Sequence, residues 1–163
     1  MDKKQLIEVN WVKQASAKGT SRYAIAGVHF EPTRITATDG RILLISSTAP
    51  NVSPGIYKVG KKGELAPQEG RFPEIDAIIN MAIADSQGAA FDGTLYQLWS
   101  LLIARGILIN IEHLAAAWDV RLNHARFLTT REARLFEPDR GPIIIDYDNR
   151  RAVIMPVARE VVA

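Results

Sequence analysis

Residues Arg22–Ser47, RYAIAGVHFEPTRITATDGRILLISS, decide how the rest of the chain is read. The run from Arg22 to Phe30 is rich in small and β-compatible residues, and Glu31-Pro32-Thr33 breaks it. From Arg34 to Thr38, Ile35 and Ala37 alternate with Arg34, Thr36 and Thr38, the two-residue period of a half-buried strand. Asp39-Gly40 follows, a dipeptide that accepts the positive φ of a tight hairpin turn. Ile42-Leu43-Leu44-Ile45 is apolar without a break, as in a strand covered on both faces. Three antiparallel strands within so short a stretch make a sheet nucleus.

The totals bound the rest. A chain of 163 residues fits one domain or two very small ones and is long enough to bury a core unaided. With no cysteine, disulfides, thiolate metal sites and thiol nucleophiles are excluded. The opening MDKKQLIEVN has charges and no apolar core, which argues against a secretory signal and for the cytoplasm. The longest apolar region, Leu95 to Trp118, is cut by Arg105, Asn110 and Glu112, short of the ~20 clean residues a membrane span needs. A net charge of +2 does not by itself call for nucleic acid, but the charge is unevenly spread. Phe72 to Ala104 has no Lys or Arg, whereas Arg121, Arg126, Arg131, Arg134 and Arg140 follow within a short stretch.

Working outward, Asp2 caps a helix from about Lys3 to Ala17, closed by Lys18-Gly19. Ile56–Val59 reads as a strand, and Gly60-Lys61-Lys62-Gly63 as a basic turn without the spacing of a phosphate loop. Residues 70–93 read as a linker, with Asp85 to Gly93 a loop. Leu95, Leu98, Trp99, Leu102 and Ile103 give the cleanest helical face, ended by Gly106, and a second helix over Ile111–Trp118 is capped by Asn110. Ala125–Leu128, Ala133–Phe136, Ile143–Ile145 and Ala152–Met155 are strand candidates, with a turn at Asp148-Asn149. The order helix, strands, helices, strands predicts an α+β fold with helices on antiparallel sheets, built from half-domains of about 1–69 and 94–163.

Three separated stretches resemble one family, in order. KQLIE, RYAIAGVHFE and ATDGRILLIS, within Lys4–Ser47, are similar to the first half of the middle domain of bacterial sliding clamps, the β subunit of the replicative polymerase. GRFPEI at Gly70–Ile75 resembles the linker between the second and third clamp domains. GPIIIDYDNRRAVIMPVAR at Gly141–Arg159 resembles the family's terminal strand pair. Together they cover roughly half the chain. The resemblance implies a DNA-clamp-like fold, a non-catalytic processivity-factor role in DNA replication, no cofactor and a homo-oligomer; a phage or prophage relative fits the short length. It also carries departures. A clamp has three such domains per chain, and this sequence has material for one. Arg41-Ile42-Leu43 stands where the family has histidine-arginine-leucine, and the helix around Leu95–Arg105 has no certain counterpart.

The family's pocket for polymerase peptides lies beside the hairpin, linker and terminal strand, which implies Arg41, Leu43, Phe72, Pro73, Val153, Met155, Pro156 and Val157 here. An apolar pocket with a methionine accepts aromatic or leucine anchors; the plainer reading makes Leu43, Phe72 and Met155 core. Lys3, Lys13, Lys18, Arg121 and Arg126 are the candidates for DNA phosphates, against the plainer reading of a solvated face. The arginines of 121–140 serve equally to pair with the acidic region of a neighbouring copy. The other function weighed is a non-encircling adaptor or decoy that binds a protein partner and not DNA. Catalysis is the least supported: His29, His113 and His124 lack metal spacing, His29 reads as a core or edge histidine, and Asp146 and Asp148 belong to a turn.

Overall fold

The computed structural model describes residues 1–17, 26–121 and 128–159. The chain forms two compact units, Met1–Ile75 with Asn149–Arg151, and Asp76–Asp148 with Ala152–Ala163. The fold class is α+β, with helices on antiparallel strands as the element order predicts.

The first unit begins with helix α1, Lys3–Val12, continued by a 3-10 turn over Lys13–Ala15. Asp2 caps it reciprocally: its side chain accepts from the Gln5 N–H at 2.8 Å while the Gln5 side chain reaches back. The predicted stop at Lys18-Gly19 lies outside the described residues, as does the first part of the predicted opening strand. What is described of that strand is β1, Val28–Phe30. It is followed by β2, Ile35–Thr38, β3, Ile42–Ser46, β4, Gly55–Val59, and β5, Leu65–Pro67. Their order in the sheet is β5-β4-β1-β2-β3, with β1 antiparallel to β2 and β4, β2 to β3, and β4 to β5. Two expectations need correction. All four residues of β2 are buried, so the strand is covered on both faces rather than half-buried. The helix expected to reach Ala17 is α-helical only to Val12, with Val9, Trp11 and Val12 buried together with Gln5 and Glu8 while Ile7 is exposed.

The second unit holds α2, Asp76–Ala84, β6, Ala89–Thr94, α3, Leu95–Ala104, β7, Ile107–Leu108, and α4, Ile111–Ala117. Strands β8, Thr130–Phe136, and β9, Ile143–Tyr147, follow, then β10, Arg150–Ile154, which starts in the first unit and ends in the second, and β11, Ala158–Arg159. β6 pairs with β8, β8 with β9, and β7 with β11, all antiparallel. Of the predicted face of α3, Leu95, Leu98 and Leu102 are buried, Trp99 is half-buried and Ile103 is exposed, and Thr94 and Gln97 form a capping box that starts the helix. Asn110 caps α4 as predicted, its Oδ1 accepting from the Glu112 N–H at 2.9 Å. The stretch 70–93 is not a bare connection: it contains α2 and most of β6, and the expected loop Asp85–Gly93 is strand from Ala89. The expected strand Ala125–Leu128 falls largely outside the described residues. No described helix is long and apolar enough to cross a membrane.

Candidate peptide and nucleic-acid surfaces

The hairpin between β2 and β3 is fixed by its own side chains. Thr38 Oγ1 donates to the Ile42 carbonyl at 2.8 Å and accepts from the Gly40 N–H at 3.0 Å. Asp39 Oδ1 accepts from the N–H groups of Arg41 and Ile42 at 2.8 and 3.0 Å. Gly40 sits at φ +89°, where a side chain is strained. The Thr-Asp-Gly order is therefore a structural device of the turn, and Asp39 is occupied by backbone rather than offered to a reaction. The turn leaves Arg41 exposed and Leu43 buried.

Strand register determines what shares a face with Leu43. His29 pairs with Thr36, Thr36 with Ile45, and Thr38 with Leu43. Side chains two residues apart point the same way, so His29, Thr36, Thr38, Leu43 and Ile45 lie on one face. The opposite face carries Ser46, whose hydroxyl donates to Glu8 of α1 at 2.6 Å. Phe72 stacks on the His29 ring with centroids 4.7 Å apart. The half-buried Phe72 therefore lies on the Leu43 side of the sheet, followed by an exposed Pro73. His29, read as a core or edge histidine, is half-buried within β1. Its Nδ1 is buried without a hydrogen bond, 3.9 Å from a Glu31 oxygen. Burial, with the Arg34 charge, holds its pKa below the usual histidine value against the opposing pull of Glu31. Glu31 itself is ion-paired to Arg34.

The other four pocket candidates lie in the second unit, around the end of β10. Val153 is buried, Pro156 half-buried, and Met155 and Val157 are 44% and 72% exposed. Such exposure of Met155 goes against reading it as core. The Val157 N–H donates to the Leu108 carbonyl at 2.7 Å, which fixes the path of this segment.

The DNA candidates are less uniform. Lys3 and Arg121 are exposed. Lys13 is half-buried and its Nζ donates to the Gly60 carbonyl at 3.3 Å. Lys18 and Arg126 lie outside the described residues. Of the other arginines after α4, Arg131 lies over the Tyr147 ring at 4.8 Å and donates to the Trp118 carbonyl at 3.0 Å, and Arg134 lies 5.9 Å from the Phe136 ring. Helices α2 and α3 carry no Lys or Arg; their exposed side chains include Ile78, Met81, Tyr96 and Ile103. Among the described residues no three His, Asp or Glu side chains gather as a metal site would require.

No protein-family model and no curated protein matches the sequence. Solved structures do match. The DNA polymerase sliding clamp of Pseudomonas aeruginosa aligns with 94% of this chain at TM-score 0.56 and 13% identity. DNA polymerase III subunit beta of Borrelia burgdorferi aligns with 98% at 0.63 and 13%, and the sliding clamp of Bacillus subtilis with 96% at 0.61 and 12%. The chain spans 65%, 62% and 63% of those three chains, in the same order. At such identities the likeness is one of architecture, and it bears out the resemblance first carried by the hairpin, linker and terminal motifs: the chain has the fold of the bacterial DNA polymerase sliding clamps.

Proposed function

We propose that this protein is a short sliding-clamp-like factor of DNA replication, non-catalytic and cytoplasmic, which works by holding polymerase peptides or DNA as a homo-oligomer. The observation that carries the reading is the match of nearly the whole chain to clamp structures. The Leu43 face with Phe72 laid across His29 supports it, as do the exposed Met155 and Val157. The candidates for contact with a polymerase peptide are Leu43, Phe72 and Pro73 with Arg41 in the first unit, and Val153, Met155, Pro156 and Val157 in the second. Lys3, Lys13, Lys18, Arg121 and Arg126 would meet phosphates. The mass in solution with and without circular DNA, joined to titration with a peptide of a clamp-binding polymerase, tests it. Met155→Asp, at an exposed site, should abolish peptide binding without changing the unfolding midpoint; normal binding by that variant refutes the pocket.

A second reading is a non-encircling adaptor or decoy with the same fold. One observation favours it: α2 and α3 offer apolar side chains and no cations, so a phosphate backbone would find little counter-charge on them. A chain that binds the peptide, ignores DNA at low salt and forms no ring-sized species is this adaptor.

A further inference from the structure

The second unit carries an apolar cleft that shares no lining residue with the polymerase-peptide candidates. It lies where the first turn of α3 meets the start of α4, and its volume is about 510 Å³, within the range of pockets that hold a ligand or an anchor side chain. The buried Leu95 lines it together with Tyr96, Trp99, Ile111 and Leu128, and of these Tyr96 and Leu128 are 60% and 75% exposed. The Tyr96 and Trp99 rings meet edge to face, 6.2 Å between centres, and so hold each other as one wall. Thr94 and Gln97 also border the cleft, but their side chains are engaged in the capping box of α3. What the cleft offers is therefore mainly apolar surface. The exposed Ile103 continues the same side of α3, four residues after Trp99. Clustered exposed side chains of this kind mark a contact surface.

Charge selects the occupant. Asp92 stands two residues before Thr94 on the same face of β6, directly opposite Glu132 of β8, and both carboxylates are exposed. Like charges facing each other across strands cost stability, and a cation brought by a partner relieves that cost. Glu112, also exposed, follows Ile111 in the first turn of α4. Among the described residues the neighbouring cations are engaged or remote. Arg131 donates to the Trp118 carbonyl and lies over the Tyr147 ring. Arg105 is ion-paired with Glu137 at the other end of α3, and Arg121 lies past the far end of α4. By sequence the whole unit holds seven Lys and Arg against eleven Asp and Glu, a formal −4. Such a mouth repels a phosphate backbone and an anionic lipid surface, and the same cleft on a second copy brings the same carboxylates. A peptide with an apolar anchor between lysines or arginines complements both parts of the surface.

We propose that the α3–α4 cleft is a docking site for a basic peptide segment. One aromatic or leucine side chain enters between Tyr96, Trp99 and Leu128, and the flanking cations face Asp92, Glu132 and Glu112. The site goes beyond the clamp-like reading and does not depend on it. The anchor supplies most of the affinity, because it is the part that is fully desolvated. The rim carboxylates speed encounter and set the sign of the partner. Being exposed, they are screened over about 8 Å at physiological ionic strength, so binding weakens with salt.

Fluorescence anisotropy of the full chain with a labelled peptide, a central tryptophan between lysine pairs, decides it. Exchanging the lysines for glutamates, or the tryptophan for alanine, should each weaken binding at least about ten-fold. Leu128→Asp and Tyr96→Asp, both at exposed positions, should do the same with an unchanged unfolding midpoint. Asp92→Lys/Glu112→Lys should reverse the preference and take the glutamate peptide over the lysine one, a gain that also shows the variant is folded. Met155→Asp should leave this binding as it is in the wild type. No binding by the wild type, equal binding of the lysine and glutamate peptides, or loss of binding in Met155→Asp overturns the proposal. So does a Leu128→Asp variant that keeps the peptide but loses retention on anionic vesicles or self-association, which gives the cleft to that occupant instead. Binding of the lysine peptide without polymerase-peptide or DNA binding sinks only the clamp-like function, and the reverse result sinks only the cleft.

Discussion

Arg150→Met is the most informative single change in the first unit. The Arg150 guanidinium meets Glu8 in a two-pronged contact, Nη2 to Oε1 at 3.0 Å and Nε to Oε2 at 3.1 Å, and both side chains are only 9% exposed. Its Cζ also lies 4.6 Å from the centre of the Trp11 ring. Ser46 and Asn149 complete the shell around the carboxylate. Burial raises the pKa of Glu8, but the hydrogen bonds of Arg150 and Ser46, the Arg150 charge and Asn149 together outweigh it and hold the pKa below the usual value. Methionine keeps an apolar stem over Trp11 and removes the charge. The stranded carboxylate then either stays ionised, at the ~3–5 kcal/mol typical of a broken buried pair, or takes a proton. From an ordinary value near 4.3, protonation at pH 7 costs about 3.7 kcal/mol at 1.36 kcal/mol per pH unit. The loss at pH 7 should therefore be about 3–4 kcal/mol, close to a 2 M fall in urea midpoint at a slope of about 2 kcal/mol/M. At pH 5 protonation costs only about 1 kcal/mol, so the deficit should shrink to that size. The wild-type pair behaves oppositely: its contribution is present above the usual glutamate value and is lost as pH falls through the lowered one. Glu8→Leu/Arg150→Met, which removes both charges, should lie within about 1 kcal/mol of wild type. A deficit under about 1 kcal/mol at pH 7, or one unchanged at pH 5, refutes the reasoning.

Two further outcomes are expected. His29 has a native pKa below its unfolded value near 6.5, so the unfolded chain binds more protons in that window and wild-type stability falls as pH drops through it; His29→Leu should flatten the urea midpoint between pH 8 and pH 5. Gly40→Val places a side chain at φ +89°, and since nothing lies near the added Cβ the cost is backbone strain alone, about 1–2 kcal/mol by denaturant titration, with more at a β-branched residue.

What the sequence by itself determined was local. The Thr-Asp-Gly hairpin, the Asp2 and Asn110 caps, and the Leu95/Leu98/Leu102 face are legible because the deciding bonds and contacts fall within a few residues. The clamp fold was legible for the same reason, since its markers are a turn, a Phe-Pro linker and a terminal strand pair. Tertiary structure decided the rest. Ala89–Thr94, in which only Phe91 and Thr94 favour a strand, becomes β6 because all six of its positions find partners on β8. The burial of Glu8 depends on Arg150, 142 residues away, and the unpartnered His29 Nδ1 depends on Phe72 arriving over its ring. Nothing near a residue in the chain records what will be folded against it, and burial, pairing and desolvation are all properties of that distant neighbour.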